Sequence, residues 1–340
     1  MSRILIVRLG SLGDLVHTLP AVAAIRRANP DARIDWLVDS PHREFLELVP
    51  ILSSLVVLRG RGVRAWLDVR RELRATSYDV AVDFQGLLKS AALARLSGAT
   101  RVVGFDRGAL RERTAAPFYT QRVPADDGQH VIRKNLELAS ALGADTTRIE
   151  FPISTIDSAS VRTFVAGIGS DYALLNPGAA WPNKRWPPER LGAAARLIRD
   201  RHGLASVVLW GPGEREAADA VVSSASGAAR IAPETGLRDL MALAQGARLM
   251  ISGDTGPTHL AAALGIPVVS LFGPTNPARN GPWAPEDVSI SKYDTCDCHY
   301  ERRCRRDAAT WCLGTISVDD VMSAVDARLR RASQAGPVVR

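Results

Sequence analysis

Lysine is nearly missing from this chain: only four of its 43 basic residues are lysines, and arginine carries almost all of a formal net charge of +7. Such a balance favours anionic partners, among them phosphates, acidic glycolipids and nucleic acid. Nucleic acid is not expected, because no basic run is interleaved with aromatics and no nucleic-acid-binding module is recognisable. Cysteine is absent before Cys296, and Cys296, Cys298, Cys304 and Cys312 fall in one short segment. A cytoplasmic chain does not need disulfides, so the clustering suggests either a structural metal, zinc or iron, or a reduced local cluster. The C-x-C-x5-C-x7-C spacing is not a standard zinc-finger pattern. Arg302, Arg303, Arg305 and Arg306 would stabilise thiolates under either reading. A long apolar run is missing too: nothing approaches the roughly 18 residues needed to span a membrane. The opening MSRILIVRLGSLGD has four consecutive apolar residues and no small-residue cleavage site. It is expected as a first buried strand rather than a signal peptide, and the protein as cytoplasmic.

What is present is alternation. A length of 340 residues exceeds the usual limit for one core and points to two domains. In the first half, strands at 4–7, 34–38, 55–58, 80–83 and 101–105 alternate with helices at 15–27, 42–48, 65–74 and 87–96, and an amphipathic helix follows at 130–142. The pattern loosens at 151–170, where a linker or crossing segment is expected. A second alternation runs through strand 173–176, helix 188–201, strand 206–210, helix 214–223, strand 229–231, helix 237–244, strand 247–251, helix 258–264 and strand 268–272. A terminal helix is expected at 318–332, with a loose tail after it. Repeated strand–helix units imply parallel sheets with helices on both faces and ligands at the carboxyl ends of the strands. The expected division is 1–160, 171–316 and a C-terminal helix and tail at 317–340.

The polar motifs fall at those strand ends. SGDTGPTHLAAALGIPVVSLFGPTNP at 252–277 reads as strand end, acidic turn, helix, strand and glycine turn. Asp254, Thr255, Gly256 and Thr258 crowd its helix start. Free N–H groups and the positive end of the dipole make an anion site there, unless Asp or Thr is an ordinary N-cap. RLGSLGD at 8–14 follows the first strand, and Gly10 and Gly13 allow a tight turn without the G-x-G-x-x-G spacing of dinucleotide sites. Asp14 can cap the helix or act as a general base, whereas His17 is expected to pack rather than catalyse. NPGAAWPNKRWPP at 176–188 offers Gly178 for close backbone approach and Lys184 with Arg185 for a diphosphate, against the reading of a plain basic loop. In VLWGPGERE at 208–216, Glu214 either bonds a ribose hydroxyl or complements a helix dipole. In YDVAVDFQGLLKS at 78–90, Asp83, Gln85 and Lys89 lead into a helix, and Arg111, Glu112, Phe118 and Tyr119 follow in a basic loop. These read a sugar acid or phosphate, or form a solvated ion-pair loop.

Together these stretches resemble glycosyltransferase family 9, the ADP-heptose:lipopolysaccharide heptosyltransferases, in order along nearly the whole chain. DFQGLLKSA and the REx5FY pattern at 111–119 are most similar to its heptosyltransferase I branch. The cysteine segment departs from that branch and resembles a variation found in other members. The resemblance implies an α/β fold of GT-B type, two Rossmann-like α/β/α domains facing a central cleft, with the acceptor on the N-terminal domain and the nucleotide sugar on the C-terminal one. It implies an inverting glycosyltransferase that moves a heptose from ADP-L-glycero-β-D-manno-heptose to an anionic glycolipid, the Kdo–lipid A inner core of lipopolysaccharide. No cofactor is then required for catalysis, and any membrane contact is peripheral, at the cytoplasmic face of the inner membrane. Asp14 would be the general base and Lys184 the catalytic cation. Asp254, Thr255, Gly256, Glu214, Gly178 and His259 would bind the donor, and Ser11, Gly13, Arg61, Arg64, Gln85 and Arg111 the acceptor. The competing readings are a family 9 transferase using another sugar or a protein acceptor, a GT-B nucleotide-sugar epimerase, and a non-catalytic binding scaffold. An epimerase would turn over donor without acceptor, and a scaffold need not keep Asp14, Lys184 and Asp254.

Overall fold

The computed structural model describes residues 2–169, 171–305 and 311–334. The chain divides into two compact units, Met1–Ser154 and Thr155–Arg340. The first contains β1 (Arg3–Val7), α1 (Leu12–Ala28), β2 (Arg33–Asp39), α2 (Arg43–Leu46), β3 (Ser54–Leu58), α3 (Val63–Thr76), β4 (Val80–Asp83), α4 (Leu88–Leu96), β5 (Arg101–Phe105), β6 (Gln121–Val123) and α5 (Val131–Ser140). Its strands pair in parallel in the order β3-β2-β1-β4-β5-β6. RILIV in β1 and VAVD in β4 are short, β-branched and almost wholly buried, as central parallel strands must be when helices cover both faces. The chain moves one way through β1, β2 and β3, then back through β4 and β5. Right-handed crossovers therefore put α1 on one face and α3 and α4 on the other. Accordingly α1 packs on α5, and α3 packs on α4. The helix expected at 42–48 is a single turn, α2, entered through a 3-10 turn at Ser40–His42. Strand β6 was not foreseen, since three residues, Gln-Arg-Val, are too few to show a period.

The second unit contains α6 (Ala159–Ala166), β7 (Tyr172–Asn176), α7 (Pro188–His202), β8 (Ala205–Val208), α8 (Arg215–Ser224), β9 (Ala229–Ile231), α9 (Leu237–Gly246), β10 (Leu249–Gly253), α10 (Gly256–Ala263), β11 (Val268–Phe272), α11 (Pro277–Asn280), β12 (Val288–Ser291) and α12 (Val318–Gln334). Its parallel order, β12-β11-β10-β7-β8-β9, repeats the topology of the first sheet. One face is closed by α7, α8 and α12 over Trp186, Leu191, Ile198, Val221 and Val325. The other is closed by α6, α9 and α10 around Tyr172, Leu243, Met250 and Ile266. The stretch expected as a linker holds α6. Ser158 caps that helix by accepting the Val161 N–H at 3.3 Å, and donates its hydroxyl to Asp239 of α9 at 2.6 Å. Val161 and Phe164 then pack into the second core. Edge strand β12 was missed because its alternation, Val-Ser-Ile-Ser, is only half-buried. The loose tail expected at the C-terminus lies, from 335 on, outside the described residues.

In both units the strand order reverses beside the first strand, between β1 and β4 and between β7 and β10. There the following segments leave for opposite faces and open a crevice at the carboxyl edge. The last helix is pinned by a buried ion pair. Arg328 of α12 reaches Asp287 at 2.7 Å, with 9% and 2% of the two side chains exposed, and Asp287 also accepts the Val268 N–H at 2.9 Å. Arg328→Ala leaves that carboxylate buried without its cation and should destabilise the second unit by about 3 kcal/mol. Urea unfolding compared with Arg328→Met, which keeps the stem, separates loss of charge from loss of packing.

Candidate active site

In the first unit the crevice is built by the turns after β1 and β4. Val7 pairs with Asp83 at the last register position of the two strands. Beyond it, Gln85 accepts the Leu9 N–H at 2.8 Å, and an Arg8 guanidinium N–H donates to the Phe84 carbonyl. The turn that delivers α1 is thereby fastened to the end of β4. Ser11 is the N-cap residue of α1, and Asp14 sits three residues on, where a capping-box acid belongs. Its Oδ2 accepts the Ser11 N–H at 3.0 Å and the Ser11 hydroxyl at 3.2 Å, while its Oδ1 lies 2.7 Å from Arg8. Burial pushes the Asp14 carboxyl up, but the Arg8 guanidinium and the two Ser11 donors outweigh it and hold the group below the ordinary carboxylate range. Asp14 is therefore ionised at neutral pH. About a third of its side chain, 36%, stays open to solvent, so the carboxylate is reachable.

The other sequence candidates of this unit divide sharply. Asp83 is fully buried and accepts from Ser90 and Tyr119, both at 2.8 Å, and from the Gln85 and Gly86 N–H groups; it fastens the β4 end rather than presenting itself. Gln85 is committed through its carbonyl to Leu9. Lys89 pairs with Asp39 at 3.3 Å. Glu112 accepts the Leu88 N–H at 2.7 Å at the start of α4. Gly13 is buried in the first turn of α1, and His17 is buried against the His130 ring, as a packed residue. Arg61, Arg64 and Arg111 are exposed. Sequence reasoning passed over two residues here. One is Arg8, the cation on Asp14, whose only signal was its place at the end of an apolar strand. The other is His42, whose ring packs against Gly10 at a distance that leaves no space for a Cβ.

In the second unit the turns after β7, β8 and β10 meet. Asn176 ends β7 and donates to Ser252 at 3.0 Å and to Thr255 at 3.2 Å. Thr255 contacts Thr258 at 3.0 Å, and Thr258 donates to the Gly253 carbonyl at 2.6 Å. This hydroxyl ladder fixes the start of α10, where Thr255 is the N-cap residue but makes no side-chain cap bond. Asp254 lies within it, 8% exposed, and gathers three donors: Lys184 at 2.5 Å and Thr275 at 2.7 Å on Oδ2, and His259 at 3.0 Å on Oδ1. Burial pushes Asp254 up, but His259 and Lys184 together hold it far below the usual carboxylate range. The Lys184 ammonium also stands 4.4 Å from the centre of the Trp181 ring. Lys184 and Asp254 were read as separate contributors, and the structure joins them as one pair. Thr275 was missed, although it lies in the same FGPT turn that closed the motif.

Two glycines are explained by close approach. A Cβ on Gly178 would fall 2.1 Å from the Glu214 carboxylate, and one on Gly253 would fall 2.4 Å from the Lys184 carbonyl. What comes close to Gly178 in the chain itself is thus Glu214, which also accepts the Gly211 N–H at 3.0 Å. Glu214 stands at the edge of a cavity of about 160 Å³ lined by Asn176, Trp210, Thr235, Leu237, Leu240 and Pro257. Its mixture of an apolar floor and a few polar groups suits a flat heterocycle with a hydroxylated sugar. The segment 235–240, the start of α9, had not been singled out.

The four cysteines form one small cluster of free thiols, with Cys298 and Cys304 sulfurs 3.4 Å apart and Cys296 and Cys312 sulfurs 3.9 Å apart. Burial pushes the Cys296 thiol up to about 12, and Cys312 rises for the same reason. At Cys296 and Cys312 burial, rather than a neighbouring guanidinium, sets the direction. Arg302 sits over the Trp181 ring and Arg305 pairs with Glu301; Arg306 lies outside the described residues. Among the described residues no group of three or more His, Cys, Asp or Glu is arranged to hold a metal ion, so the expected structural zinc or iron finds no support in this geometry. Likewise no helix among them is long and apolar enough to cross a membrane.

Two doubly wound parallel sheets, each with a polar crevice at its strand-order reversal, define a two-domain Rossmann-like α/β class, and known proteins place the chain more closely. The family model of glycosyltransferase family 9 (heptosyltransferase) matches residues 66–309. Lipopolysaccharide heptosyltransferase 1 of Pseudomonas aeruginosa is 33% identical over 315 residues, covering 89% of this chain and 87% of its own. Its namesake from Escherichia coli K12 is 30% identical over 294 residues, 82% of this chain and 90% of that one. Among solved structures, the E. coli heptosyltransferase WaaC with ADP matches with a TM-score of 0.76 at 26% identity, over 98% of this chain and 99% of the other. The chain belongs to glycosyltransferase family 9: it is a glycosyltransferase with a GT-B fold.

The Lys184–Asp254 pair makes two measurable statements. Lys184→Met should destabilise the second unit by about 3 kcal/mol, and Lys184→Met with Asp254→Asn should recover a good part of it, since no charge is then left buried alone. Asp254 lies below its ordinary value of 3.8, so its stabilisation is complete above that value and is lost as pH falls toward the folded pKa. Asp254→Asn should accordingly flatten the acid limb of urea midpoint against pH below about pH 4.

Proposed function

We propose that this glycosyltransferase moves a heptose from ADP-L-glycero-β-D-manno-heptose to the Kdo–lipid A inner core of lipopolysaccharide, with inversion at the anomeric carbon. The observation that carries this reading is an ionised, solvent-reachable Asp14 in one crevice, in a chain one-third identical over most of its length to a lipopolysaccharide heptosyltransferase 1. The same solved relative, E. coli heptosyltransferase WaaC, holds ADP in one structure and ADP-2-deoxy-2-fluoro heptose in another, which supports an ADP-sugar as donor.

Asp14 is the general base for the acceptor hydroxyl. Its lowered pKa makes it a weak base toward a resting alcohol. The hydroxyl turns strongly acidic as its oxygen bonds to the anomeric carbon, so the proton passes late, when even a weak base accepts it. Ser11 and Arg8 hold the carboxylate in place, and the amide N–H groups of Gln85 and the exposed Arg111 guanidinium are donors for an acidic acceptor. At the donor, negative charge grows on the diphosphate as the glycosidic C–O bond breaks. Lys184 and the N–H groups of Thr255 and Gly256 at the start of α10 stabilise it, with the helix dipole behind them. With three donors on its two oxygens, Asp254 has capacity for one more, a heptose hydroxyl, and it holds Lys184 and His259 in position. Glu214 takes a ribose hydroxyl beside the cavity that accommodates adenine, with Gly178 leaving space for its carboxylate. The chemistry suits the cytoplasmic side of the membrane, where nucleotide sugars are found.

The test mixes protein, ADP-heptose and Kdo2-lipid A and follows ADP release with acceptor mass. A heptose-sized gain in acceptor mass supports the reading; ADP release with unmodified acceptor discards this acceptor, release from donor alone would favour hydrolysis, and an isomerised ADP-sugar without ADP release would favour epimerase chemistry. Asp14→Ala should lower kcat by about 10²–10⁴-fold with little change in ADP binding; near-normal kcat would remove the base role. Arg8→Met should let burial dominate at Asp14 and move the acid limb of the kcat–pH profile upward.

A further inference from the structure

We propose that the outer face of α3, with the first residue of α4 beside it, docks the N-terminal unit on an anionic lipid bilayer. The purpose of such docking rests on the lipid-linked acceptor proposed above; the surface stands on its own observations. Val63 is 79% exposed, Leu67 52% and Leu88 44%, and among the described residues these are the exposed large apolar side chains of this unit. Val63 and Leu67 stand one turn apart on α3, and Leu88 opens α4, which packs against α3.

The distribution of charge around α3 is equally uneven. At about 100° per residue, Val69 and Leu73 mark the buried stripe, with Trp66 half-buried at its edge. Val63, Leu67, Arg70, Arg74, Arg71 and Arg64 all fall within an outward arc of about 120°, while Asp68 and Glu72 lie on one flank. Arg71 pairs with Asp68 at 3.3 Å and Arg74 donates to the Leu96 carbonyl at 2.9 Å. Arg59, Arg61, Arg64 and Arg70 are exposed and make no hydrogen bond or ion pair among the described residues.

Isolated apolar side chains set between unpaired guanidinium groups fit a plane of lipid phosphates better than a protein surface. Protein interfaces concentrate their apolar area in a contiguous, charge-poor core, which this face lacks. At a bilayer each guanidinium can fork onto phosphate oxygens, while Val63, Leu67 and Leu88 enter the boundary of the acyl region. Position agrees with purpose. α3 leaves the carboxyl end of β3 and α4 that of β4, the same edge of the sheet whose β1 turn carries Asp14.

The experiment is sedimentation of the full chain with vesicles of phosphatidylcholine alone or with phosphatidylglycerol. Partition onto the anionic vesicles is expected, falling with salt. Leu67→Ser, Leu67→Glu and Arg70→Glu should each weaken it, the glutamates by on the order of tenfold, whereas Arg330→Glu on α12, the same charge change elsewhere, should have little effect. Turnover of a deacylated, soluble acceptor should be unchanged in the Leu67 and Arg70 variants. Equal partition onto neutral vesicles, or α3 variants that bind like the parent, would overturn the proposal. So would variants that lose turnover on the soluble acceptor as well. Vesicle binding is read without any transfer reaction, so a wrong donor or acceptor would not disguise its outcome.

Discussion

Parallel pairing of β1 with β4, and of β7 with β10, is the constraint on which the rest of this molecule depends. Each pair ends side by side at the carboxyl edge, and the chain then departs to opposite faces, because right-handed crossovers run one way for α1 and α7 and the other for α4 and α10. No backbone fills the space between the departing segments. Side chains add to the backbone bonds that hold the turns bordering it: Gln85 on Leu9 in one unit, Asn176 on Ser252 and Thr255 in the other. A residue placed in those turns gains both a rigid support and access to solvent.

The carboxylates of the protein sort themselves by what surrounds them. Asp83 and Asp287 lie deep, where burial dominates and raises them, and they serve to tie strands and helices together. Asp14 and Asp254 are also pushed up by burial, but cations and N–H or hydroxyl donors reverse the direction. The two lowered acids stand at the two crevices and the two raised ones in the supports, where Asp287 still faces the Arg328 guanidinium. That division follows from where guanidinium, ammonium and imidazole groups can reach, and perturbed acids beside such partners are where chemistry concentrates. Family membership supplies the reaction type, and this electrostatic sorting supplies the residues on which a mechanism can be built.

Arginine is used in two distinct ways. Arg8, Arg190 and Arg328 turn inward and spend their donors on carbonyls and carboxylates of the same unit, holding turns and the last helix in place. On the outer face of α3, Arg64 and Arg70 are exposed and make no hydrogen bond or ion pair among the described residues. The first use needs no ligand to explain it. The second leaves charged donors and apolar side chains exposed on one narrow face, an arrangement that folding alone does not require.

Much of this was legible in the residues. Short β-branched runs alternating with amphipathic segments gave two parallel sheets, because the period of burial is written locally in each element. Glycine, threonine and acid at 254–258 and the RLGSLGD turn marked the crevices, since only strand ends followed by helices concentrate such residues. β6, β12 and α6 were not legible, being too short or too half-buried to show a period. Sequence also could not say which side chains meet. That Lys184 and Asp254, seventy positions apart, form one pair with His259 and Thr275, that Arg8 sets the ionisation of Asp14, and that Gly178 exists to accommodate Glu214 depend on strand order. The sequence by itself determined most of the elements, the family and the candidate residues; only the tertiary structure decided their partners, because pairing across a parallel sheet joins residues whose separation along the chain carries no trace of their contact.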